Sequence, residues 1–236
     1  MPTRCSFLAQ DPDGNRLDRG LHGERGRVLG LDPSIGLAVL TVASDADGRA
    51  ARVAAEVLLD DMQANLASVT QSEVVDEAPG LICLRESLAN IEEYLREEQQ
   101  GEVSLGAVQI DDAGRISLAL AGDLRCCLKQ ERVRCLGAES SRPLGAAEPA
   151  EPLLLELTLA QTPCLLLLPT ADERVIDPEY VQLSLGRFCD APEMLLRQLT
   201  VRGQRNGLVR APSLLFAAGE AEQGPKKGLF SRLVGR

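Results

Sequence analysis

The sequence predicts an α+β domain, and three features support that prediction. Residues 101–145 place apolar side chains mostly at alternate positions and contain turn signals at 111–114 and 130–131, a pattern typical of a meander of four short antiparallel strands. Two long stretches before this meander repeat their apolar residues at helical spacing. The 236 residues suit one ordinary domain that buries its own core.

The composition narrows the class of protein. The chain is 44% hydrophobic but only 3% aromatic, and its formal net charge is −10. Nucleic-acid surfaces need clustered lysine and arginine, so we expect no nucleic-acid partner. No signal-peptide pattern opens the sequence, and no apolar run approaches the roughly 20 residues that cross a bilayer. We therefore expect a cytoplasmic protein.

Seven cysteines are scattered along the chain, most of them within apolar runs. The sequence has no Cys-x-x-Cys pair and a single histidine, His22, so a zinc knuckle or a Cys-His nucleophile lacks its usual parts. We expect the cysteines to be small core residues in a reducing compartment.

The first half of the chain begins with strand and loop and continues with helices. Residues 6–9 predict an edge strand, and the Asp-Pro-Asp-Gly sequence at 11–14 predicts a turn. An apolar run at 36–43 predicts a strand, which an acidic turn joins to an amphipathic helix over 49–69. A second amphipathic helix is predicted over 80–100.

The second half continues after the meander with more strands and a last helix. Apolar runs at 152–159 and 164–168 predict two strands, a periodic stretch at 192–203 predicts a helix, and residues 212–217 predict a closing strand.

The middle of the meander carries a motif that resembles one known family. Residues 122–125 read Gly-Asp-Leu-Arg, and Leu-Gly follows at 144–145. This order resembles the central motif of the protein phosphatase 2C family of metal-dependent serine/threonine phosphatases, whose turn reads Gly-Asp-Ser-Arg. The resemblance extends through element order over residues 6–218. It implies an α-β-β-α sandwich, in which two antiparallel sheets pack face to face and helix pairs flank them.

The resemblance also locates a metal site, where the sequence departs from the family. Members carry a metal aspartate after the strand before the first helix, and an alignment without gaps puts Ser44 there. A shift of three residues makes Asp47 the ligand instead, with Asp45 nearby. The other interpretation of this stretch is a capped helix entry, in which these side chains accept amide hydrogens.

The second and third metal positions of the family also lack their acids. Thr170 stands at the second position, and Asp172 lies two residues beyond it. The third position falls just before the closing strand, where the sequence offers Arg205, Asn206, Arg210 and Ala211.

Two polar residues of the family pattern remain in register. Asp123 keeps the aspartate of the central turn, and we expect its carboxylate to cap the backbone there, with Arg125 bracing the same turn. Arg16 matches a Gly-x-Arg whose arginine contacts the substrate phosphate in family members, so it is a vestigial phosphate contact or a surface charge.

These departures lead to three functional hypotheses. A dimetal centre needs carboxylates that bind both cations, so the first is an inactive member, a pseudophosphatase. It would need no cofactor and would act as a regulatory or protein-binding module in bacterial-type signalling, with a kinase or a phosphoprotein as partner. The second is a manganese- or magnesium-dependent serine/threonine phosphatase with displaced ligands. The third is an unrelated α+β domain. The displaced ligands would be Asp45, Asp47, Asp123 and Asp172.

The end of the sequence differs in composition from the rest. We divide the chain into a phosphatase-like domain at 1–218, a linker at 219–225 and a tail at 226–236 with four positive charges and no acid. On a helix, its apolar and basic residues would occupy opposite faces, as in peptides that lie on anionic membranes. This composition predicts weak contact with the inner face of the membrane, and the alternatives are a disordered basic tail or a tail that docks on an acidic protein patch. Its candidate residues are Lys226, Lys227, Leu229, Phe230, Arg232, Leu233 and Arg236.

Overall fold

Two six-stranded antiparallel sheets form the centre of the fold. The structure is a computed structural model, and it describes residues 5–17, 19–24, 26–43, 48–70, 77–98, 100–137 and 141–219. The first sheet contains β1 (Cys5–Gln10), β2 (Arg16–Leu17), β8 (Leu124–Lys129), β9 (Val133–Gly137), β11 (Cys164–Pro169) and β12 (Leu214–Gly219). Their order across the sheet is β2-β1-β12-β11-β8-β9.

The second sheet is also antiparallel throughout. It contains β3 (Gly20–Glu24), β4 (Arg27–Asp32), β5 (Leu37–Ala43), β6 (Val103–Ile110), β7 (Arg115–Ala121) and β10 (Leu153–Thr158). Their order is β10-β7-β6-β5-β4-β3.

Helices cover the outer face of each sheet. The second sheet packs against α1 (Arg49–Thr70) and α2 (Pro79–Glu97). The first sheet packs against α3 (Thr170–Ile176), α4 (Pro178–Phe188) and α5 (Pro192–Arg205). The predicted α-β-β-α sandwich is therefore confirmed, with three helices on one side where a pair was expected.

Strand periodicity distributes the core into three apolar layers. Leu105 and Ala107 of β6 face α1 and α2, whereas Val108 of the same strand faces the first sheet. A third layer joins the first sheet to its helices and includes Leu166 and Phe216. Both faces of the central strands are thus buried, which explains their nearly continuous apolar sequence.

The four strands predicted over 101–145 are confirmed as β6 to β9, but they do not form one sheet. The turn at 122–123 carries the chain from the second sheet to the first. Gly122 has a φ of 71°, and a Cβ at this position would overlap Ser104, so only glycine fits without a shift.

The amino-terminal region differs from its prediction in two respects. The strand β1 is not at an edge, because β2 pairs outside it and β12 pairs on its other side. The sequence analysis located one strand in this strand-and-loop region, at 6–9, whereas the structure also has β3 and β4, which extend the second sheet beyond β5.

The cysteine prediction is wrong for one pair. Cys127 of β8 and Cys135 of β9 lie directly opposite each other, with Cα atoms 4.1 Å apart, and form a disulfide. Cys83, Cys126 and Cys164 are separate buried thiols, as expected. In the described ranges, no helix combines the length and the apolar character needed for a membrane crossing.

Candidate functional site

One end of the sandwich brings together three residues that the sequence analysis singled out, Asp123, Thr170 and Asp172. Because antiparallel neighbours exchange ends, the starts of β4, β8 and β12 lie beside the ends of β5, β11 and β1, respectively. We call this the site end and define it by Arg27, Asp123, Thr170, Asp172 and Ser213.

Asp172 is the most enclosed carboxylate at the site end. It lies in the first turn of α3, and its side chain is 2% exposed. Its Oδ2 accepts hydrogen bonds from Nη1 of Arg27 at 2.7 Å and from the backbone N–H of Ser213 at 3.1 Å. Arg27 begins β4 in the second sheet, so this ion pair links the two sheets. A cation approaching this oxygen would have to displace a guanidinium.

The turn at Asp123 is held by its backbone. The N–H of Asp123 donates to Oγ of Ser104 at 2.9 Å, and its carbonyl accepts from the N–H of Thr170 at 3.1 Å. The side chain of Asp123 is exposed. We expected the Asp123 carboxylate to cap the backbone of this turn. Instead, backbone hydrogen bonds hold the turn, and one of them connects it to the start of α3.

Arg125 links the strand that follows the turn to α3, and its expected role in bracing the turn stays a prediction. Its Nε donates to Glu173 at 2.9 Å, and the Glu173 side chain is 3% exposed. A Cβ at Gly137 would overlap the Arg125 guanidinium, so that group lies over β9. Arg125 thus connects β8, β9 and α3.

Arg16 pairs with a surface carboxylate. Its Nη1 lies 3.0 Å from Oε1 of Glu193, and the two side chains are 47% and 72% exposed. Glu193 belongs to the first turn of α5. This pairing fits the surface-charge interpretation, and the phosphate-contact interpretation of Arg16 stays a prediction.

A polar cleft of about 290 Å³ opens beside these residues. Its walls include Asp11, Asp13, His22, Arg52 and Arg210. The carboxylate of Asp11 accepts from the backbone N–H groups of Asp13 and Asn15, so it is committed to its own turn. Arg210, which one of the two alignments puts at the family's third metal position, lies 3.6 Å from Asp13. The lining of the cleft therefore combines guanidinium groups with aspartates.

Several candidate residues lie outside the described residues. Asp45 and Asp47 are among them, and so are the linker from residue 220 onward and the whole tail at 226–236. Their proposed roles, and the division of the chain at residue 218, stay predictions.

The described residues include one group of three side chains that could ligate a metal, and the sequence analysis missed this group. Ligand atoms of Cys127, Cys135 and Glu173 all lie within 4.8 Å of one another. Neither Asp123 nor Asp172 belongs to this group. Burial raises the pKa of two other thiols, that of Cys164 to about 12 and that of Cys126 as well. Both thiols therefore stay protonated at neutral pH.

Comparison with known proteins supports the fold. No protein-family model and no curated protein matches the chain. Solved structures do: PppA, a key regulatory component of T6SS in Pseudomonas aeruginosa, has a TM-score of 0.66 at 16% identity, covering 93% of this chain and 98% of its own. The serine/threonine phosphatase Stp1 from Staphylococcus aureus has a TM-score of 0.63 at 13% identity, covering 94% and 96%.

A third structure is the catalytic domain of the serine/threonine protein phosphatase PstP in complex with 2 manganese ions. It has a TM-score of 0.58 at 18% identity and covers 92% of this chain and 98% of its own. At such identities the likeness establishes the fold. The chain has the fold of the protein phosphatase 2C-type serine/threonine phosphatases, so the hypothesis of an unrelated α+β fold is wrong.

Proposed function

We propose that this chain is a catalytically inactive phosphatase-like domain that acts as a regulatory, protein-binding module in bacterial-type signalling. The observation that carries the proposal is the ion pair between Arg27 and Asp172 at the site end. Among the candidate ligands that the structure describes, Asp172 has the one buried carboxylate, and this carboxylate is paired with the permanently charged guanidinium of Arg27.

The charges at the site end argue against two divalent cations there. To ligate a metal through Oδ2, Asp172 would first have to release Arg27 and the Ser213 amide. Separating a buried ion pair costs about 3–5 kcal/mol when one partner is removed. The other two positions that the resemblance assigns to acids carry the neutral Thr170 and, in one alignment, Arg210. The described donor set therefore does not fit a dimetal centre.

The regulatory part of the proposal rests on the fold and on the cleft. PppA, which shares the fold, is described as a regulatory component of a bacterial system. The cleft at the site end offers Arg52, Arg210 and His22 as polar contacts. A kinase or a phosphoprotein is the partner we propose, and the net charge of −10 disfavours nucleic acid.

The alternative is a manganese- or magnesium-dependent serine/threonine phosphatase with displaced ligands. The observation that favours it is the exposed side chain of Asp123 at the site end, in a fold for which PstP is known with 2 manganese ions. Under this alternative Asp123 would act together with Asp45, Asp47 and Asp172.

A phosphatase assay separates the two functions. We would measure hydrolysis of p-nitrophenyl phosphate and of a phosphoserine peptide with added manganese or magnesium. The variants are Asp123→Asn and, as a control, Asp112→Asn, which changes an exposed aspartate in the hairpin between β6 and β7. We expect all three proteins to give the background rate. Metal-dependent turnover that Asp123→Asn abolishes and Asp112→Asn preserves would establish the alternative.

The binding role needs its own experiment. We would use the wild-type chain and two variants as baits for affinity capture followed by mass spectrometry. Arg210→Gln removes a charge from the cleft, whereas Arg134→Gln removes an exposed charge from β9. We expect a partner that Arg210→Gln loses and Arg134→Gln retains. Identical capture by both variants would show that the cleft is not the binding surface.

A further inference from the structure

A second cluster of reactive side chains lies between the first sheet and α3. We call Cys127, Cys135 and Glu173 the β8–β9 cluster. Cys127 is fully buried, Cys135 is partly exposed, and the Glu173 side chain is 3% exposed. The two sulfurs are bonded to each other, and a Glu173 carboxylate oxygen lies within 4.8 Å of both.

Strand geometry explains why these three groups converge. Alternate residues of a strand face opposite sides, so Cys126 points between the two sheets while Cys127 packs on the helix side. Cys135 joins Cys127 on that side because the two residues are paired across the antiparallel ladder. Glu173 approaches from α3 and is held by Nε of Arg125. Two sulfurs from the first sheet and one carboxylate from α3 therefore lie within 4.8 Å of one another.

We propose that, once the disulfide is reduced, Cys127, Cys135 and Glu173 bind one thiophilic divalent cation of the Zn²⁺ class, with water as the fourth ligand. Thiolate and carboxylate are both established zinc donors, and three protein ligands plus water is a known arrangement for zinc. The soft sulfur donors favour this class over magnesium or manganese.

The ion pair with Arg125 involves one oxygen of Glu173. Arg125 donates through Nε to Oε2 at 2.9 Å, so we assign the other oxygen, Oε1, as the ligand atom. Two thiolates and a carboxylate carry three negative charges. A divalent cation offsets two of them, and the neighbouring guanidinium adds positive charge, which lowers the cost of burying these ligands.

Reduction would proceed by exchange with an external thiol, such as a glutathione-type reductant. Its thiolate attacks the sulfur of Cys135, which is the more exposed of the two, and Cys127 leaves as a thiolate that takes a proton. A second external thiol then releases Cys135 and forms the external disulfide, so two electrons pass to the protein. Zn²⁺ displaces the two thiol protons when it binds. The disulfide and the metal site thus exclude each other.

The test uses the full chain, reduced with a phosphine under anaerobic conditions and stripped of metal. Zn²⁺ binding is measured by competition with a chromogenic chelator, and Co²⁺ serves as a spectroscopic probe because thiolate ligands give charge-transfer absorption. We expect one Zn²⁺ per reduced chain and none per oxidised chain.

Three variants identify the ligands. We expect Cys135→Ser and Glu173→Gln each to weaken Zn²⁺ binding by at least about tenfold, since even residues outside the ligand set change affinity by that factor. Cys189→Ser changes a cysteine outside the cluster and should leave affinity unchanged. Circular dichroism of each variant confirms that it is folded.

Three results would overturn the proposal, and the first two concern Zn²⁺ affinity. One is Zn²⁺ affinity that is the same in the reduced and oxidised chains. The other is affinity that Cys135→Ser and Glu173→Gln leave unchanged in folded protein, which would place any bound zinc elsewhere. A Co²⁺ complex without thiolate charge-transfer absorption would have the same meaning.

Discussion

Aspartates at opposite ends of the sandwich differ in the range of their contacts. At the end opposite the site end, Asp111 binds Ala113 and Arg115, two and four residues along the chain, and Asp32 binds both Ser34 of its own turn and Gln63 of α1. At the site end, Asp172 binds groups that lie 41 and 145 residues away.

This difference separates turn formation from assembly of the two sheets. The carboxylate of Asp111 stabilises the local turn in which it lies, as aspartates commonly do, whereas Asp32 combines such a turn with one contact to α1. Asp172 instead joins α3 to β4 of the other sheet and to the residue before β12. We infer that the Arg27–Asp172 pair at the site end has a structural role, in which it holds α3 and the two sheets together.

Removal of Arg27 should have the largest effect. Arg27→Ala leaves the buried Asp172 with the Ser213 amide and without its ion pair. We expect the free energy of unfolding, measured with urea, to fall by about 3 kcal/mol. The double variant Arg27→Met/Asp172→Asn removes both charges, keeps an oxygen acceptor for the Ser213 amide and should recover most of this loss. Wild-type stability of Arg27→Ala would show that the pair does not join the sheets.

The turn between the sheets should be the next most sensitive point. Gly122→Ala combines a φ of 71° with overlap of the new Cβ and Ser104, so we expect a loss of about 2 kcal/mol. Gly207→Ala is the control, because its φ is 107° but nothing lies within 4 Å of its Cβ position. Equal losses of unfolding free energy in the two variants would mean that contact with Ser104 contributes nothing.

Asp32 tests the opposite end through its pH dependence. Burial opposes ionisation, but hydrogen bonds from Ser34 and Gln63 outweigh it and hold the pKa of Asp32 below its ordinary value of 3.8. The resulting stability is present above pH 3.8 and is lost as the pH falls through the lowered pKa.

Asp32→Asn should therefore reduce the free energy of unfolding by about 1.5 kcal/mol at neutral pH. We expect the difference from wild type to narrow in urea titrations below pH 3.8. If the difference in unfolding free energy between wild type and Asp32→Asn stays constant with pH, the charge of Asp32 does not contribute to stability.

Arg16 should give the smallest effect. Its pair with Glu193 is exposed on both sides, and solvent screens such pairs. We expect Arg16→Ala to change the unfolding free energy by less than about 0.5 kcal/mol. If Arg16→Ala lowered the unfolding free energy as much as Arg27→Ala, the exposed Arg16–Glu193 pair and the more buried Arg27–Asp172 pair would contribute equally, which would contradict this prediction.

Local features of the chain could be predicted from the sequence. The turn at 111–114 was predicted because aspartate and glycine stand at the offsets that a turn needs, and Gly114 does donate to the Asp111 carbonyl. The helix predicted over 49–69 is α1, because its apolar face repeats with helical periodicity over many turns.

The long-range contacts could not be predicted in the same way. Nothing local marks Arg27 as the partner of Asp172, since the fold alone brings them together. The disulfide was missed because scattered cysteines in apolar runs predict core residues of a reducing compartment, and the pairing of the two strands that carry them was not considered. A turn at 130–131 alone would pair Cys135 with Cys126, whereas the observed loop at 130–132 pairs it with Cys127. A shift of one residue in register changes which face a side chain occupies.

Manganese binding tests the central claim most directly. We would titrate Mn²⁺ into the wild-type chain by calorimetry, with Asp172→Asn and Asp123→Asn as comparison variants. We expect no saturable heat from the wild type, because the Asp172 carboxylate is held by Arg27 and the Ser213 amide. Saturable micromolar binding that Asp172→Asn abolishes would contradict the account and would make the site end a metal centre.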